Sequence, residues 1–248
     1  MTAASAPRTF RSSAVLVRSV DYGESDRIVT LLTEHAGLVS LMARSARKSQ
    51  KRFAGALEPF GVIEAELALG KSDVGRLASA RLVRGFPALL GRLDAMREAG
   101  AALELVRAAT PPRESEPRLL EAVVRLFEVL AEGRIAPEIA RAGFELRYLA
   151  LLGLGLRVAA CARCGKRPEA ERSALFDAAV GAIVCRACGG GPLLLPASTR
   201  SLMAASATKE WAEILPGWTA AEARTALDAL EAFVARHVSG RSRGETKS

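Results

Sequence analysis

Four cysteines stand in two matching pairs, Cys161-x2-Cys164 and Cys185-x2-Cys188, with 20 residues between the pairs and no cysteine left over. A C-x2-C hook offers two thiolates to one ion, and a second hook at this distance closes a tetrahedral sulfur cage of the zinc-ribbon type. Gly165 follows the first hook and Gly189, Gly190 and Gly191 follow the second. Glycine lets the backbone turn tightly enough for its N–H groups to face sulfur. Four thiolate ligands leave no position for water or substrate, so the spacing predicts one structural zinc per chain. Unmetallated or disulfide-bonded cysteines, and a catalytic site, are the readings this expectation competes with. The only histidines, His35 and His237, lie far from the hooks along the chain. A zinc deaminase needs an H-x-E set beside P-C-x-x-C. No H-x-E is present, and neither Cys161 nor Cys185 follows a proline.

Paired cysteines without a secretory signal read as metal ligands in a reducing cytoplasm. Met1 to Pro7 lacks the apolar stretch of such a signal, and no apolar run approaches the roughly 20 residues of a membrane helix. The expected location is cytoplasmic and nucleoid-associated, with no membrane partner. The 248 residues suit two or three small domains, and half of them are apolar, enough for a sizeable core. The formal charge of +8 favours polyanionic partners.

The hydrophobic pattern changes along the chain. Ala14 to Val20, Arg27 to Thr33, Leu38 to Ala43, Gly61 to Leu69 and Val74 to Val83 read as strands, with turns at Asp21–Ser25, Glu34–Gly37 and Gly70–Asp73. Five strands with a loop before the fourth suit a small closed barrel, with the OB-fold as leading candidate. After Pro87 the apolar residues recur at helical spacing, from Leu89 to Val106. The proline-rich Thr110–Pro117 stretch reads as a linker. Further helices are expected from Pro117 to about Ala131 and from Pro137 to Leu152, then from a Ser198 or Thr199 cap to about Ala207. Thr219 and Glu222 form a capping box for a last helix ending near Val238. The expected fold class is α+β. An N-terminal OB-fold β-barrel (1–85) precedes an α-helical domain (86–157 and 196–238). That domain carries an inserted four-cysteine zinc module (158–195), and a disordered tail follows (239–248). The leucine stripes of the helices read as core packing or as a partner groove. Arg236, Arg241, Arg243 and Lys247 near the end read as a solvated end or as phosphate contacts.

Between Glu34 and Glu58 there is no acidic residue, yet Arg44, Arg47, Lys48, Lys51 and Arg52 all lie there. A phosphate backbone would neutralise such a cluster and release counterions. A loop beside the open face of an OB-type barrel is where single strands lie. The competing reading is a merely solvated loop. Aromatic residues make up only 5% of the chain. Tyr22, Phe53 and Phe60 are the nearest candidates for base stacking, with Phe60 also a core candidate. Charge should therefore dominate, giving sequence-tolerant and salt-dependent binding.

The runs Ala14 to Arg18, Asp21 to Thr33, Ala43 to Ser49, Arg52-Phe53 and Leu57 to Phe60 resemble the bacterial recombination mediator family RecO. So do Phe144 to Gly153, Cys161 to Gly165, Phe176-Asp177, Gly181 and Cys185 to Cys188, in the same order. The resemblance implies binding of single- and double-stranded DNA and annealing of complementary strands in the RecF pathway of repair. It implies partnership with RecR and possibly RecF, and docking of the acidic C-terminal tail of the single-strand-binding protein SSB. RecA is served indirectly, by loading onto SSB-coated strands. No nucleotide hydrolysis is implied, and no G-x4-G-K-[ST] loop is present. Residue by residue, the likeness carries over Arg44, Arg47, Lys48 and Arg52 as DNA contacts. Lys51 and Arg27 are lesser candidates, Arg27 being able to pair with Asp26 or another local acid. It carries over Cys161, Cys164, Cys185 and Cys188 as zinc ligands. Arg118, Arg125, Arg141 and Arg147, on apolar helices, are the candidates for a cationic rim that holds the SSB tail.

Two further readings stand beside this one. A sequence-tolerant RNA-binding OB-fold protein would share the basic loop. A zinc enzyme acting on nucleic acid would need an open metal position or nearby carboxylates, and Glu169, Glu171 and Asp177 are the ones at hand.

Overall fold

The computed structural model describes residues 8–53 and 55–238. The expected tail at 239–248, with Arg241, Arg243 and Lys247, lies outside them, as does Met1 to Pro7. The chain divides into two compact units, residues 1–131 and 132–248.

The first unit holds a closed five-stranded barrel of order β1-β2-β3-β5-β4. Its strands are β1 (Arg8–Tyr22), β2 (Asp26–Thr33), β3 (Gly37–Ala43), β4 (Gly61–Leu69) and β5 (Val74–Gly85). The first strand is long enough to serve two neighbours. Its start pairs antiparallel with β4 and its end with β2, with a register shift between Leu16 and Arg18. Closure comes from a short parallel pairing, Ser40 with Val74 through Met42 with Arg76. This is the order expected of an OB-type barrel. Alternation supplies the core: along β4, Gly61, Ile63, Ala65 and Leu67 are buried and the residues between them are less so. Ala14, Leu16, Leu31, Val39, Leu41, Leu67 and Leu77 meet inside. Phe53 and Leu57, from the segment between β3 and β4, join the same cluster.

That segment is the basic loop. It forms turns from Arg44 to Lys48 and then one helical turn, α1 (Gln50–Phe53). Beyond the barrel come α2 (Pro87–Leu90), α3 (Leu93–Ala109) and α4 (Pro117–Glu132). The break between α2 and α3 falls at Gly91 and Arg92 and divides what the leucine pattern reads as one helix. Phe60 and Phe86 both meet Phe127 edge-on, with ring centroids 5.7 and 5.6 Å apart. Phe60 is thus core, and its stacking role falls away. The Thr110–Pro117 stretch is no free linker. Arg113 N–H donates to the Leu38 carbonyl, Ser115 Oγ donates to the Glu34 carbonyl at 2.7 Å, and Pro112 bridges to Leu38. It straps the β2–β3 turn.

The second unit carries α5 (Pro137–Leu151), a three-stranded sheet and three further helices. The sheet has the order β7-β6-β8, from β6 (Ala174–Asp177), β7 (Ala182–Ile183) and β8 (Leu193–Leu195). The helices are α6 (Ala197–Ser206), α7 (Trp211–Ile214) and α8 (Ala220–His237). The Thr219–Glu222 capping box forms as its spacing predicts. The Ser198 or Thr199 cap does not form. The cap position is Pro196, two residues before Ser198, the helix begins at Ala197 without a side-chain cap, and Thr199 is fully buried. Pro196 stands at the N-cap outside the helix, and its carbonyl accepts the first helical bond from Arg200 N–H. The module containing the cysteines is stitched to its neighbours: Arg200 donates to the Glu169 and Ala170 carbonyls, and His237 Nε2 lies 3.0 Å from the Ala178 carbonyl. No helix among the described residues is long and apolar enough to cross a membrane.

Candidate nucleic-acid interface and candidate metal centre

The six cations of the expected DNA surface fall into two groups. Arg44, Lys48 and Lys51 are exposed, with no acidic partner among the described residues. Arg27, Arg47 and Arg52 are engaged. Arg27 Nε donates to Asp21 at 3.1 Å, and Arg47 Nε lies 3.7 Å from the other oxygen of the same carboxylate. The partner of Arg27 is thus Asp21 and not Asp26, whose carboxylate accepts from Ser45 N–H at 2.7 Å instead. That bond helps hold Ser45 in the left-handed region, with φ of 54°. Arg52 works as a clip: Nη2 donates to the Arg44 carbonyl at 2.8 Å, Nε to Ser49 Oγ at 3.3 Å, and the guanidinium lies over the Phe53 ring.

The burial of Phe53 accounts for the loop's shape. Its ring enters the barrel core at 4% exposure, so the flanking residues are forced outward. Phe53 is thereby removed as a stacking platform. Tyr22, 55% exposed at the end of β1, is the one of the three stacking candidates that remains accessible. Two shallow clefts flank the helical turn. One of about 450 Å³ is lined by Arg27, Arg47, Ser49 and Glu58. The other, of about 350 Å³, is lined by Arg11, Lys51, Arg52 and Arg81 with Glu64 and Glu66. Asp21 is the acid beside these cations that sequence reasoning did not single out, although it left Arg27 a local acidic partner. It stands outside the acid-free window and reaches it only through the pairing of β1 with β2 and of β2 with β3.

The four cysteine sulfurs lie within 4.8 Å of one another. Cys164 Sγ and Cys185 Sγ are 3.8 Å apart. A tetrahedron with metal–sulfur bonds of about 2.3 Å has S–S edges of about 3.8 Å, so the donor set fits one ion of this kind. Each hook is closed by a backbone bond, Gly165 N–H to the Cys161 carbonyl and Gly190 N–H to the Cys185 carbonyl. Arg163 joins the hooks by donating to the Cys188 carbonyl at 2.7 Å. Backbone N–H groups of Cys185, Cys164 and Arg163 point at Cys161 and lower its thiol to about 6. Hydrogen bonding to Cys185 and Cys164 keeps Cys188 a thiol, pushed up to about 12. Four thiolates this close repel one another, so the cluster ionises fully only around a cation.

The arginines expected to ring an SSB-tail groove are all engaged elsewhere. Arg118 bonds Glu116, Arg125 bonds Glu128, Arg141 bonds Glu145 and Glu231, and Arg147 donates to the Lys209 carbonyl. The Glu116 carboxyl is held down at about 2, first by the side-chain bond from Arg118.

Comparison with known proteins agrees with this architecture. The family described as Recombination protein O N terminal matches residues 8–86, and Recombination protein O C terminal matches residues 91–245. A relative from Anaeromyxobacter sp. (strain K), named DNA repair protein RecO, is 41% identical over 240 residues, covering 92% of this chain and 91% of its own. Proteins of the same name from Geobacter sulfurreducens and Myxococcus xanthus are 40% and 36% identical. The first match covers 74% of this chain and 75% of its own length, the second 94% and 93%. With both halves matched in order and the barrel closed as its pattern predicts, the chain belongs to the RecO family of DNA repair and recombination proteins.

Proposed function

We propose that this protein acts in DNA repair as a recombination mediator of the RecF pathway. It binds single- and double-stranded DNA through the barrel's basic turn, anneals complementary strands, and with RecR helps load RecA onto SSB-coated single strands. The observation that carries the reading is the trio Arg44, Lys48 and Lys51, exposed on the segment between β3 and β4 of an OB-ordered barrel and free of acidic partners among the described residues. Arg27, Arg47 and Arg52 are secondary contacts, because each must share or exchange an existing partner. Cation shielding of phosphate on two strands lowers their repulsion and so favours pairing. No chemical step is required of the protein, and it works in the cytoplasm at the nucleoid. RecF and the SSB tail are partners that the family resemblance supports.

Cys161, Cys164, Cys185 and Cys188 would hold one zinc ion, which supplies a cross-link and leaves no open coordination position. Domain boundaries at 85/86, 157/158 and 195/196 are retained as functional divisions of the chain. The grouping of α2 to α4 with the barrel in the first compact unit cuts across the first of them.

The test is annealing of complementary oligonucleotides coated with SSB. The triple substitution Arg44→Ala/Lys48→Ala/Lys51→Ala should slow annealing at least tenfold and flatten the salt dependence of single-strand binding. All three side chains are exposed, so folding should survive. Equal annealing by the wild type and the triple variant would reject the assignment. Absence of annealing by the wild type, with RNA bound, would favour an RNA-binding role instead.

A further inference from the structure

The four sulfurs of the cage are not equally accessible. Cys164 is exposed, Cys185 and Cys188 are half-buried, and Cys161 is buried at 4% exposure. Held around a dication, all four are thiolates at neutral pH. Their reactivity toward an oxidant is then set by access and by hydrogen bonding. Cys161 is shielded on both counts. Its sulfur accepts the Cys185 N–H at 3.4 Å, its N–H donates to the Lys166 carbonyl, and its carbonyl accepts from Gly165 N–H. Cys164 is open to solvent, and its sulfur lies 3.8 Å from Cys185 Sγ on the other hook.

The surroundings are electropositive. The stretch from Arg157 to Arg200 contains seven basic and three acidic residues, a surplus of four. Four thiolates around one dication carry a net charge of about −2, so a positive surplus remains after the cage is neutralised. Cys161 and Cys185 help to line a groove of about 760 Å³, with Leu175, Ile183 and Leu194 as its aliphatic floor and Lys166, Arg167 and Arg186 on its rim. Those three cations have no ion pair among the described residues. An exposed thiolate in a positive field is open to peroxide, and a second thiolate in contact with it can resolve the product.

We infer that a hydroperoxide converts Cys164 and Cys185 into a reversible disulfide across the two hooks, and that this bond takes over the cross-link as the metal ion leaves. Cys164 Sγ attacks one peroxide oxygen, the O–O bond breaks and hydroxide departs, leaving a sulfenic acid. Cys185 Sγ then attacks Cys164 Sγ and expels a second hydroxide. Two thiolates and one hydrogen peroxide thus become one disulfide and two hydroxides, with two electrons passing from sulfur to oxygen. Solvent protons turn the hydroxides into water. Cys161 and Cys188 remain as thiols, two ligands too few for a closed cage. The new bond encloses β6 and β7, so the module keeps its staple without the ion. A bond within either hook would join residues three apart and leave the hooks free to separate. The inference rests on the reading of the four cysteines as one zinc site and does not depend on DNA binding by the barrel.

The experiment treats the full-length, zinc-loaded protein with about one equivalent of hydrogen peroxide. A chromogenic chelator reads zinc release, and mass spectrometry of alkylated, unreduced tryptic peptides maps the disulfides. Cleavage at Arg163, Arg172 and Arg186 places the four cysteines in separate peptides. One zinc should leave per disulfide formed, Cys164–Cys185 should be the dominant linkage, and dithiothreitol with added zinc should restore the starting state. Brief native trypsin treatment should cut the oxidised, zinc-free protein within about twofold of the zinc-loaded rate, and the reduced, chelator-stripped protein at least tenfold faster. Cys188→Ser and Cys164→Ser each remove one ligand. Peroxide should restore trypsin resistance to the first and not to the second. Disulfides confined to Cys161–Cys164 or Cys185–Cys188 would overturn the proposal. So would sulfinic acid at Cys164 without a disulfide, or an oxidised protein as open to trypsin as the stripped one. Elemental analysis that finds no zinc in the isolated protein would overturn the metal reading, and the exchange of metal for disulfide with it.

Discussion

Asp21 spreads one carboxylate between Arg27 and Arg47, at 3.1 and 3.7 Å, with about half of its side chain exposed. At such a site each pair is worth at most about 1 kcal/mol. On the proposed DNA-binding role, the carboxylate would act as a weak, local competitor of phosphate for the same two guanidiniums. Asp21→Asn should free both cations and raise single-strand affinity about two- to fivefold, with a steeper dependence on salt. A salt titration of binding checks this, and unchanged or weaker binding would show that neither arginine is a phosphate contact. The basic residues themselves are readable from the chain, because an acid-free window needs no structure to be seen. Asp21 is readable only as one of the local acids open to Arg27, and not as a partner of Arg47. It is 6 residues from Arg27, its cross-strand partner in the β1–β2 hairpin, but 26 from Arg47, which only the further pairing of β2 with β3 brings near it. Phe53 and Phe60 show the same limit. An aromatic beside a basic run looks like a stacking platform until the core claims it.

Among the elements, the strands of the barrel follow their pattern closely. β4 runs over the residues that alternation predicts, Gly61–Leu69, and β2 and β3 each differ from expectation by one residue at the start, whereas β1 begins at Arg8, six residues before the expected Ala14, and β5 runs on to Gly85, two beyond the expected Val83. Alternation reports burial of one face directly, which is why these elements are legible. The strap after α3 is the opposite case. Proline and charge read as linker, yet the segment lies along the β2–β3 turn so tightly that Gly37 can carry no side chain. A Cβ there would overlap the Glu114 carbonyl oxygen, and φ is +63°. Gly37→Ala should lose about 2–5 kcal/mol, from left-handed strain and overlap together. Gly23→Ala is the control. It shares a φ of +59° but meets nothing within 4 Å, so it should lose only about 1 kcal/mol. Denaturant unfolding followed by circular dichroism compares the two, and equal losses would show that the strap adds nothing to the requirement for glycine.

At the scale of the whole molecule, the cysteine module is the part least able to stand on its own packing. Its sheet has strands of four, two and three residues, too small to bury a core of their own. A metal ion held by the four cysteines would supply folding free energy to this segment. Cys185→Ser should lose the zinc, measured as a fall from one ion per chain by elemental analysis, and should open the stretch from Arg163 to Arg186 to trypsin. Single-strand affinity should stay within about twofold of the wild type, because the barrel cations belong to the other compact unit. Unaltered trypsin resistance in the metal-free variant would deny the cage its structural role.

The cysteine spacing, the alternating strands and the acid-free basic window are all local patterns. Chemistry and periodicity act there over a few residues, so the cage, the barrel and the cationic turn follow from order along the chain. Which cations are free, which aromatics are core and where an aliphatic floor meets a basic rim are decided by contacts between residues far apart in sequence. Burial and ion pairing are properties of the folded neighbourhood. Lys166 and Arg167 look like ordinary flanks of a zinc hook until Leu175, Ile183 and Leu194 come up beside them.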